Sequence, residues 1–265
     1  MSSSNQRAPF QLDDSHIVIT GGSRGLGRAI STAVAQAGAT VTIIARTAKQ
    51  AETTAAELNQ QLEQAGMFSP RAYAHPADVG DLGNVDELVD DISARAPITG
   101  VVHAAGIQLR KPAVEISPEE FLRVQAVNLH APYFLSTSIA RKQMSEQRVG
   151  SHVFIGSLNS SIGLPGISPY VVAKTGLVGA ARAFSAEWAA AGIRANVVGP
   201  GYFATEMTED LLANRADEAR IMARIPQKKL GDPMDVGNAC VYLLSDAASY
   251  VTGTLLNVDG GWLGA

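Results

Sequence analysis

Three residues in the run SLNSSIGLPGISPYVVAK can hold or move a proton: Ser157, Tyr170 and Lys174. Tyr170 and Lys174 stand four apart, the spacing that sets two side chains one above the other on a helix. A free tyrosine has a pKa of about 10 and is a poor base near neutrality, and lowering it by ~3 pH units takes ~4 kcal/mol of preference for phenolate. A lysine ammonium one turn away is one positive charge able to supply part of that preference. With Ser157 holding a substrate oxygen by a hydrogen bond, the phenol can give or take the proton. Taken alone, a Tyr–Lys pair at helical spacing is more often just a surface pair.

The surrounding sequence supplies the elements that would place these groups. SHVFIG (151–156) reads as a strand, so Ser157 falls at its carboxyl end, where α/β sheets bind ligands. SPY reads as a helix start with Ser168 as N-cap and Pro169 at the first helical position. Leu177 and Ala181 continue the face of Tyr170 and Lys174, and residues 158–167 give the chain room to bring Ser157 opposite Tyr170. Other strand-like runs are HIVIT (16–20), TVTIIA (40–45), RAYA (71–74), GVVHA (100–104), RANVV (194–198) and LLNV (255–258). Helical stretches separate most of them, which predicts a doubly wound α/β fold with a parallel sheet. VQAVNLHAPYFL (124–135) is also helical in pattern, yet Pro132 sits inside it. Proline has no N–H to return to the carbonyl four residues earlier, that of Asn128. The freed carbonyl could hold a water and extend a proton relay from Lys174; a helix kinked for packing is the other reading.

TGGSRGLG (20–27) lies between the first strand and the first helix. Gly21, Gly25 and Gly27 clear side chains from a sharp turn, and the helix N-terminus offers free N–H groups and partial positive charge to a pyrophosphate. The strand–turn–helix setting is that of a dinucleotide site, although the glycine spacing is not the usual G-x-G-x-x-G. The second strand ends at Ala45 and Arg46, where NAD sites carry an acid for the ribose 2′-hydroxyl. There is none here. Arg46, with Arg24 in the turn, supplies planar cations for a 2′-phosphate, which favours NADP(H) over NAD(H). A solvated strand-end arginine is the plainer account of Arg46.

The chain has 265 residues, 46% of them hydrophobic, a formal charge of −4 and one cysteine, Cys240. That composition can bury a core without disulfide or metal. A lone cysteine suits a reducing cytoplasm, and in NACVYLL it reads as a small core residue. No charge block points to nucleic acid or a membrane surface, and no apolar run approaches the roughly 20 residues needed to span a bilayer. The five histidines lack metal-ligand spacing, so no metal site is expected. Residues 1–11 read as a loose tail and 12–265 as a single catalytic domain. Within it, 202–226 is a polar excursion, either a substrate lid or a helical surface insertion.

Taken together, these residues resemble the short-chain dehydrogenases/reductases from about Leu12 to Gly261. TGGSRGLG is similar to the family's T-G-x-x-x-G-x-G, and Asn128, Ser157, Tyr170 and Lys174 fall on its Asn-Ser-Tyr-Lys tetrad. The resemblance implies coenzyme contacts from the glycine turn, including Ser23 and Leu26. It places Asp78 and Val79 of ADV at the adenine, with Ala105 and Gly106 against the coenzyme. Pro200, Gly201, Phe203 and Thr205 of GPGYFATEM would line the nicotinamide, which Tyr170 and Lys174 also face. It further implies a Rossmann-type sheet of seven parallel strands in a three-layer α/β/α arrangement, transfer of the pro-S hydride, and a homotetramer. HAAG (103–106) departs from the family's Asn-Asn-Ala-Gly, so Ala104 lacks an amide that steadies the central sheet.

Within the family, AGIQLRKP (105–112) and PGYFATEMTEDL (200–211) look most like gluconate 5-dehydrogenase and related sugar-acid dehydrogenases. Arg110 and Lys111 could attract a substrate carboxylate, or stand as exposed loop cations. The resulting expectation is an oxidoreductase that interconverts a small-molecule ketone and a secondary alcohol, on a sugar acid such as gluconate/5-ketogluconate. The other readings are a 3-oxoacyl thioester reductase and a non-catalytic dinucleotide-binding sensor; an intact Ser157, Tyr170 and Lys174 argues against the last.

Overall fold

The computed structural model describes residues 9–67, 71–206, 208 and 213–265. The loose tail expected over 1–11 lies outside them up to residue 8, as do residues 207 and 209–212 of the 202–226 excursion.

Strands β1 (His16–Thr20), β2 (Thr40–Ala45), β3 (Ala72–Pro76), β4 (Gly100–His103), β5 (Gly150–Ile155), β6 (Ile193–Pro200) and β7 (Leu255–Val258) form one parallel sheet. Their order is β3-β2-β1-β4-β5-β6-β7. Every residue of β1, β4 and β5 is buried, as expected of parallel strands covered on both faces. The strand expected at 71–74 sits slightly later, and the one expected at 194–198 runs on to Pro200. Gly199 and Pro200 still register against Asn257 and Val258 of β7.

Helices α1 (Gly25–Gln36), α2 (Ala48–Gln64) and α8 (Pro233–Leu244) cover one face. There α1 rides on α8 so closely that a Cβ at Gly237 would stand 2.8 Å from that of Ala33. Cys240 is buried in this layer with Ile30 and Val34, as its apolar setting suggested. Helices α3 (Val85–Ser93), α5 (Ala131–Ser145) and α6 (Ser168–Trp188) cover the other face, giving the three-layer α/β/α fold. A shorter helix, α7 (Arg215–Arg224), lies in the excursion before α8. No described helix is long and apolar enough to cross a membrane.

One local reading gains its geometry and another needs correction. The helical stretch expected over 124–135 is α4 (Pro118–Gln125) running through a π-helical turn, Ala126–His130, into α5. The ladder there widens by one residue, Ala131 N–H reaching the Ala126 carbonyl. Pro132, which has no N–H to close the narrower turn on Asn128, accounts for the change. The correction concerns Ser168, which is the first residue inside α6 instead of its cap. Ile167 is the N-cap because its carbonyl already accepts the Tyr170 and Val171 N–H groups, at 3.0 and 3.1 Å.

Candidate active site

β5 delivers Ser157 and α6 delivers Tyr170 and Lys174, and the loop between is fastened to both. Ser160 Oγ accepts the Ser157 N–H at 3.2 Å and donates to the Lys174 carbonyl at 2.9 Å. Thr175 Oγ1 donates to the Asn159 carbonyl at 3.2 Å. The Ser157 hydroxyl accepts from the Asn159 N–H at 3.2 Å and its side-chain amide at 3.3 Å, which leaves its own proton free to donate. Sequence reasoning missed Asn159, Ser160 and Thr175. Their only signal was a Ser/Asn-rich run after a strand, which a turn shares.

Tyr170 and Lys174 are both buried, with the Lys174 Nζ 5.4 Å from the centre of the phenol ring. Nζ donates to the Ile155 carbonyl at 2.6 Å. Burial lowers this amine from the ordinary 10.5 to about 8. The phenol moves the other way: burial raises Tyr170 above its ordinary value, and the nearby Ser157 hydroxyl pulls it back down. The chain's own groups therefore do not give the lowered phenol expected from the Tyr–Lys spacing, because taking a phenolate out of water outweighs the help at hand.

Asn128 joins the pair through Gly106. A Cβ on Gly106 would stand 3.5 Å from Asn128 Oδ1 and 3.9 Å from Lys174 Nζ, so this glycine lies between them. The Asn128 amide pairs at both ends with Ile107: Oδ1 accepts the Ile107 N–H and Nδ2 donates to the Ile107 carbonyl, both at 2.8 Å. Its side chain clamps the loop after β4. Gly176 lets α6 press on the π turn, its Cβ position being 3.0 Å from the Leu129 side chain.

The glycine turn packs against the same loop. Gly21 has φ +67°, and a Cβ there would be 2.7 Å from the Ala105 Cα; one on Gly27 would run into the Gly21 carbonyl. Gly25, at φ +51°, leaves open space whose nearest wall is Thr205, 3.8 Å away. No side chain caps the N-terminus of α1. A cradle that a Cβ would fill, under an uncapped twelve-residue helix, fits a pyrophosphate group. Ser23 is held by its carbonyl accepting from Thr54 Oγ1 at 3.1 Å, and Leu26 packs on the core below.

The remaining expected contacts sit at neighbouring carboxyl ends. Arg46 is exposed just beyond β2 and has no carboxylate partner among the described residues. Arg24, the other candidate cation, is ion-paired with Glu206 at 2.8 Å, both exposed. Asp78 follows β3, its Oδ1 accepting the Gly80 N–H at 2.9 Å, and Val79 packs beside it on the core. Pro200 ends β6; Gly201 is so close to Asp259 that a Cβ would stand 2.6 Å from its Cα, and Phe203 is buried in a bridge to Gly231. With the order β3-β2-β1-β4-β5-β6-β7, these residues stand at the carboxyl ends of strands on both sides of the point between β1 and β4 where the strand order reverses.

The loss of an amide at Ala104 is offset by its neighbour. His103 Nε2 bonds Ser136 Oγ at 2.7 Å, its ring stacks on Phe154 with centres 5.0 Å apart, and burial holds it neutral, well below its ordinary pKa. Thr20 Oγ1 accepts the Ala105 N–H at 3.2 Å. Of the two loop cations, Lys111 is tied to Glu120 at 3.0 Å, whereas Arg110 is exposed with no carboxylate partner among the described residues.

Comparison with known proteins agrees with this geometry. A family model described as Enoyl-(Acyl carrier protein) reductase matches residues 21–263. The 5-keto-D-gluconate 5-reductase of Escherichia coli (strain K12) is 35% identical over 255 residues, covering 96% of this chain and 97% of that protein. The 3-oxoacyl-[acyl-carrier-protein] reductase FabG of Haemophilus influenzae is 35% identical over 245 residues, 92% of this chain and 96% of that one. A crystal structure of a gluconate 5-dehydrogenase from Burkholderia cenocepacia, in complex with NADP and tartrate, superposes with a TM-score of 0.88 at 31% identity. It covers 97% of this chain and 98% of that chain. On the family match and these full-length relatives, the chain belongs to the short-chain dehydrogenase/reductase family.

Proposed function

We propose that the protein is an NADP(H)-dependent oxidoreductase that interconverts a ketone and a secondary alcohol on a sugar acid of the gluconate/5-ketogluconate kind. One observation carries this reading: Asn128 and Lys174 meet at Gly106, the buried Tyr170 lies beside Lys174 and hydrogen-bonds Ser157, and the preceding residue, Ala105, packs on the glycine turn that would cradle a pyrophosphate. The coenzyme would be held by the backbone around Gly21, Ser23, Gly25, Leu26 and Gly27, by Arg46 with Arg24 at the 2′-phosphate, and by Asp78 and Val79 at the adenine. Ala105, Gly106, Pro200, Gly201, Phe203 and Thr205 would border its nicotinamide, next to Tyr170 and Lys174. When bound, a nicotinamide supplies or accepts the hydride.

The chain's own groups handle the proton. Ser157 donates to the substrate oxygen, and Tyr170 gives its phenolic proton to that oxygen in reduction or takes it in oxidation. Lys174 holds the next proton at Nζ. The Asn128 carbonyl, which Pro132 cannot reach, carries a water that links Nζ to solvent. The excursion 202–226 acts as the substrate lid. Residues 12–265 act as one catalytic unit, in a cytoplasmic homo-oligomer that is a tetramer by family resemblance.

The relative named as a 3-oxoacyl reductase, at the same identity as the ketogluconate reductase, supports acyl thioesters as a second substrate class. Absorbance of the reduced nicotinamide, followed with NADPH and NADH against 5-ketogluconate, acyl thioester and diketone panels, separates the readings. Sugar-acid turnover with NADPH, lost in Tyr170→Phe while coenzyme still binds, is the expected result. NADPH binding without turnover on any panel would leave only a sensor.

A further inference from the structure

The excursion helix sets a cation, used by neither the tetrad nor the coenzyme cradle, on a small core that contains the neighbour of Ser157. Leu158, next to Ser157, packs with Ile221, Ile225 and Trp262 in a small core of its own, against which Tyr202 lies. Tyr202 in turn directly follows Gly201 and precedes Phe203, both at the proposed nicotinamide border. This core thus touches the catalytic loop on one side and the coenzyme crevice on the other.

Arg224, on the last turn of α7, lays its guanidinium carbon 4.7 Å over the Trp262 ring, and that ring is 4.8 Å from Tyr202. The Trp262 indole N–H is buried without a hydrogen-bond partner. Burial raises the Tyr202 phenol, while the charges of Arg220, Arg110 and Arg224 oppose it, so three cations bear on one half-buried ring. Arg220 is spent on Asp217 at 3.1 Å. Arg224 and Arg110 have no carboxylate partner among the described residues.

Resting on the reading of the site as a sugar-acid oxidoreductase, we propose that Arg224, oriented by the face of Trp262, is the anchor for the substrate carboxylate, with Arg110 as the second cation beside Tyr202. A guanidinium is the side chain suited to this task. Its planar fork meets a carboxylate through two parallel charge-assisted bonds. An aromatic face that fixes the plane beforehand lowers the ordering cost of binding. The anchor explains how a scaffold with a general carbonyl tetrad selects an acid.

The test compares wild type, R224A and R224K, each checked by thermal unfolding, on 5-ketogluconate and on a neutral polyhydroxy ketone with NADPH. R224A raises the KM for the acid about 10- to 100-fold, the loss expected for a charge-assisted pair, with kcat nearly unchanged. R224K, which keeps the charge and loses the fork, falls between. An unchanged KM overturns the proposal, and so does an equal rise for the neutral ketone, which would mark Arg224 as a packing cap on Trp262. If wild type turns over no sugar acid, the parent reading fails by itself. Calorimetric titration of gluconate into the NADP+-loaded protein then decides the anchor alone. The proposal stands if R224A weakens binding tenfold or more, and falls if binding is absent or unchanged.

Discussion

Replacing Lys174 by methionine removes a charge that the fold buries at a cost, and that cost can be read out by pH. The amine sits at 4% exposure with its pKa lowered from the ordinary 10.5 to about 8 by burial. One pH unit is worth about 1.4 kcal/mol, so holding Lys174 charged costs the native state about 3 kcal/mol at pH 7. Between about pH 8 and 10.5 the unfolded chain binds more protons at this lysine than the native chain does. The contribution of Lys174 to stability therefore rises with pH across that window, and at pH 9.5 only about 1 kcal/mol of the cost is left. Methionine fills a similar volume without charge, but forfeits the 2.6 Å bond to the Ile155 carbonyl, a loss of roughly 1–3 kcal/mol that does not depend on pH. The stability of Lys174→Met relative to wild type should accordingly fall by about 2 kcal/mol from pH 7 to pH 9.5, whatever its sign at pH 7. Urea unfolding of both proteins without added nucleotide, at three pH values and with matching m-values, measures this difference. A gap that stays constant across the range would refute the burial cost assigned to Lys174. The variant should lack turnover throughout, since the proton carrier next to Tyr170 is gone.

Two further outcomes test the coenzyme cleft. Arg46→Ala should weaken NADPH binding about 10- to 100-fold while NADH shifts little, because only NADPH offers a ribose 2′-phosphate to an exposed guanidinium that has no carboxylate partner among the described residues. Fluorescence titration of the reduced nicotinamide reads both, and an unchanged ratio returns Arg46 to a solvated strand end. Gly27→Ala drives a methyl into the Gly21 carbonyl, an overpacking cost of about 1–3 kcal/mol. Its Tm should drop by roughly 3–10 °C, and a melting curve superimposable on wild type would mean that α1 and the turn are not in close contact.

Much of the sheet was legible because its signal is local. Buried parallel strands are continuous apolar runs, so β1, β2 and β7 begin and end where the pattern says, and only strands whose ends rely on a neighbour drift. The strand expected to end at Val198 runs on to Pro200 because β7 registers against it, with the Gly201 N–H bonding the Val258 carbonyl at 2.8 Å. The reading at 124–135 identified the right residue and left the geometry open: a proline announces a broken bond, but the widening into a π turn depends on what packs against it, here Gly176 of α6 over Leu129. The anchoring role of the Asn128 amide was hidden for the same reason, since its partner Ile107 is distant in sequence and bonds through its backbone. Arg224 carried no motif at all. An arginine in a polar helix is unremarked until the fold sets Trp262 beneath it.

Burial also explains why the tetrad needs four members. It drives Tyr170 and Lys174 toward their neutral forms from opposite sides, the phenol upward and the amine downward. A protonated phenol is the correct form to hand a proton to a ketone oxygen, so reduction starts from the state that burial already favours. Oxidation needs phenolate, which burial opposes and only the Ser157 hydroxyl supports among the groups bearing on Tyr170. Positive charge must therefore be present at the ring when the alcohol is oxidised, and an ammonium that titrates near pH 8 supplies it only while it keeps its proton. In the proposed relay, a water on the Asn128 carbonyl would be the route by which Lys174 regains a proton between turnovers without opening the pocket. In the proposed mechanism the tetrad is then one acid, one oxygen holder, one charge whose value the fold has made adjustable, and one carbonyl freed by a proline to keep that charge in exchange with solvent.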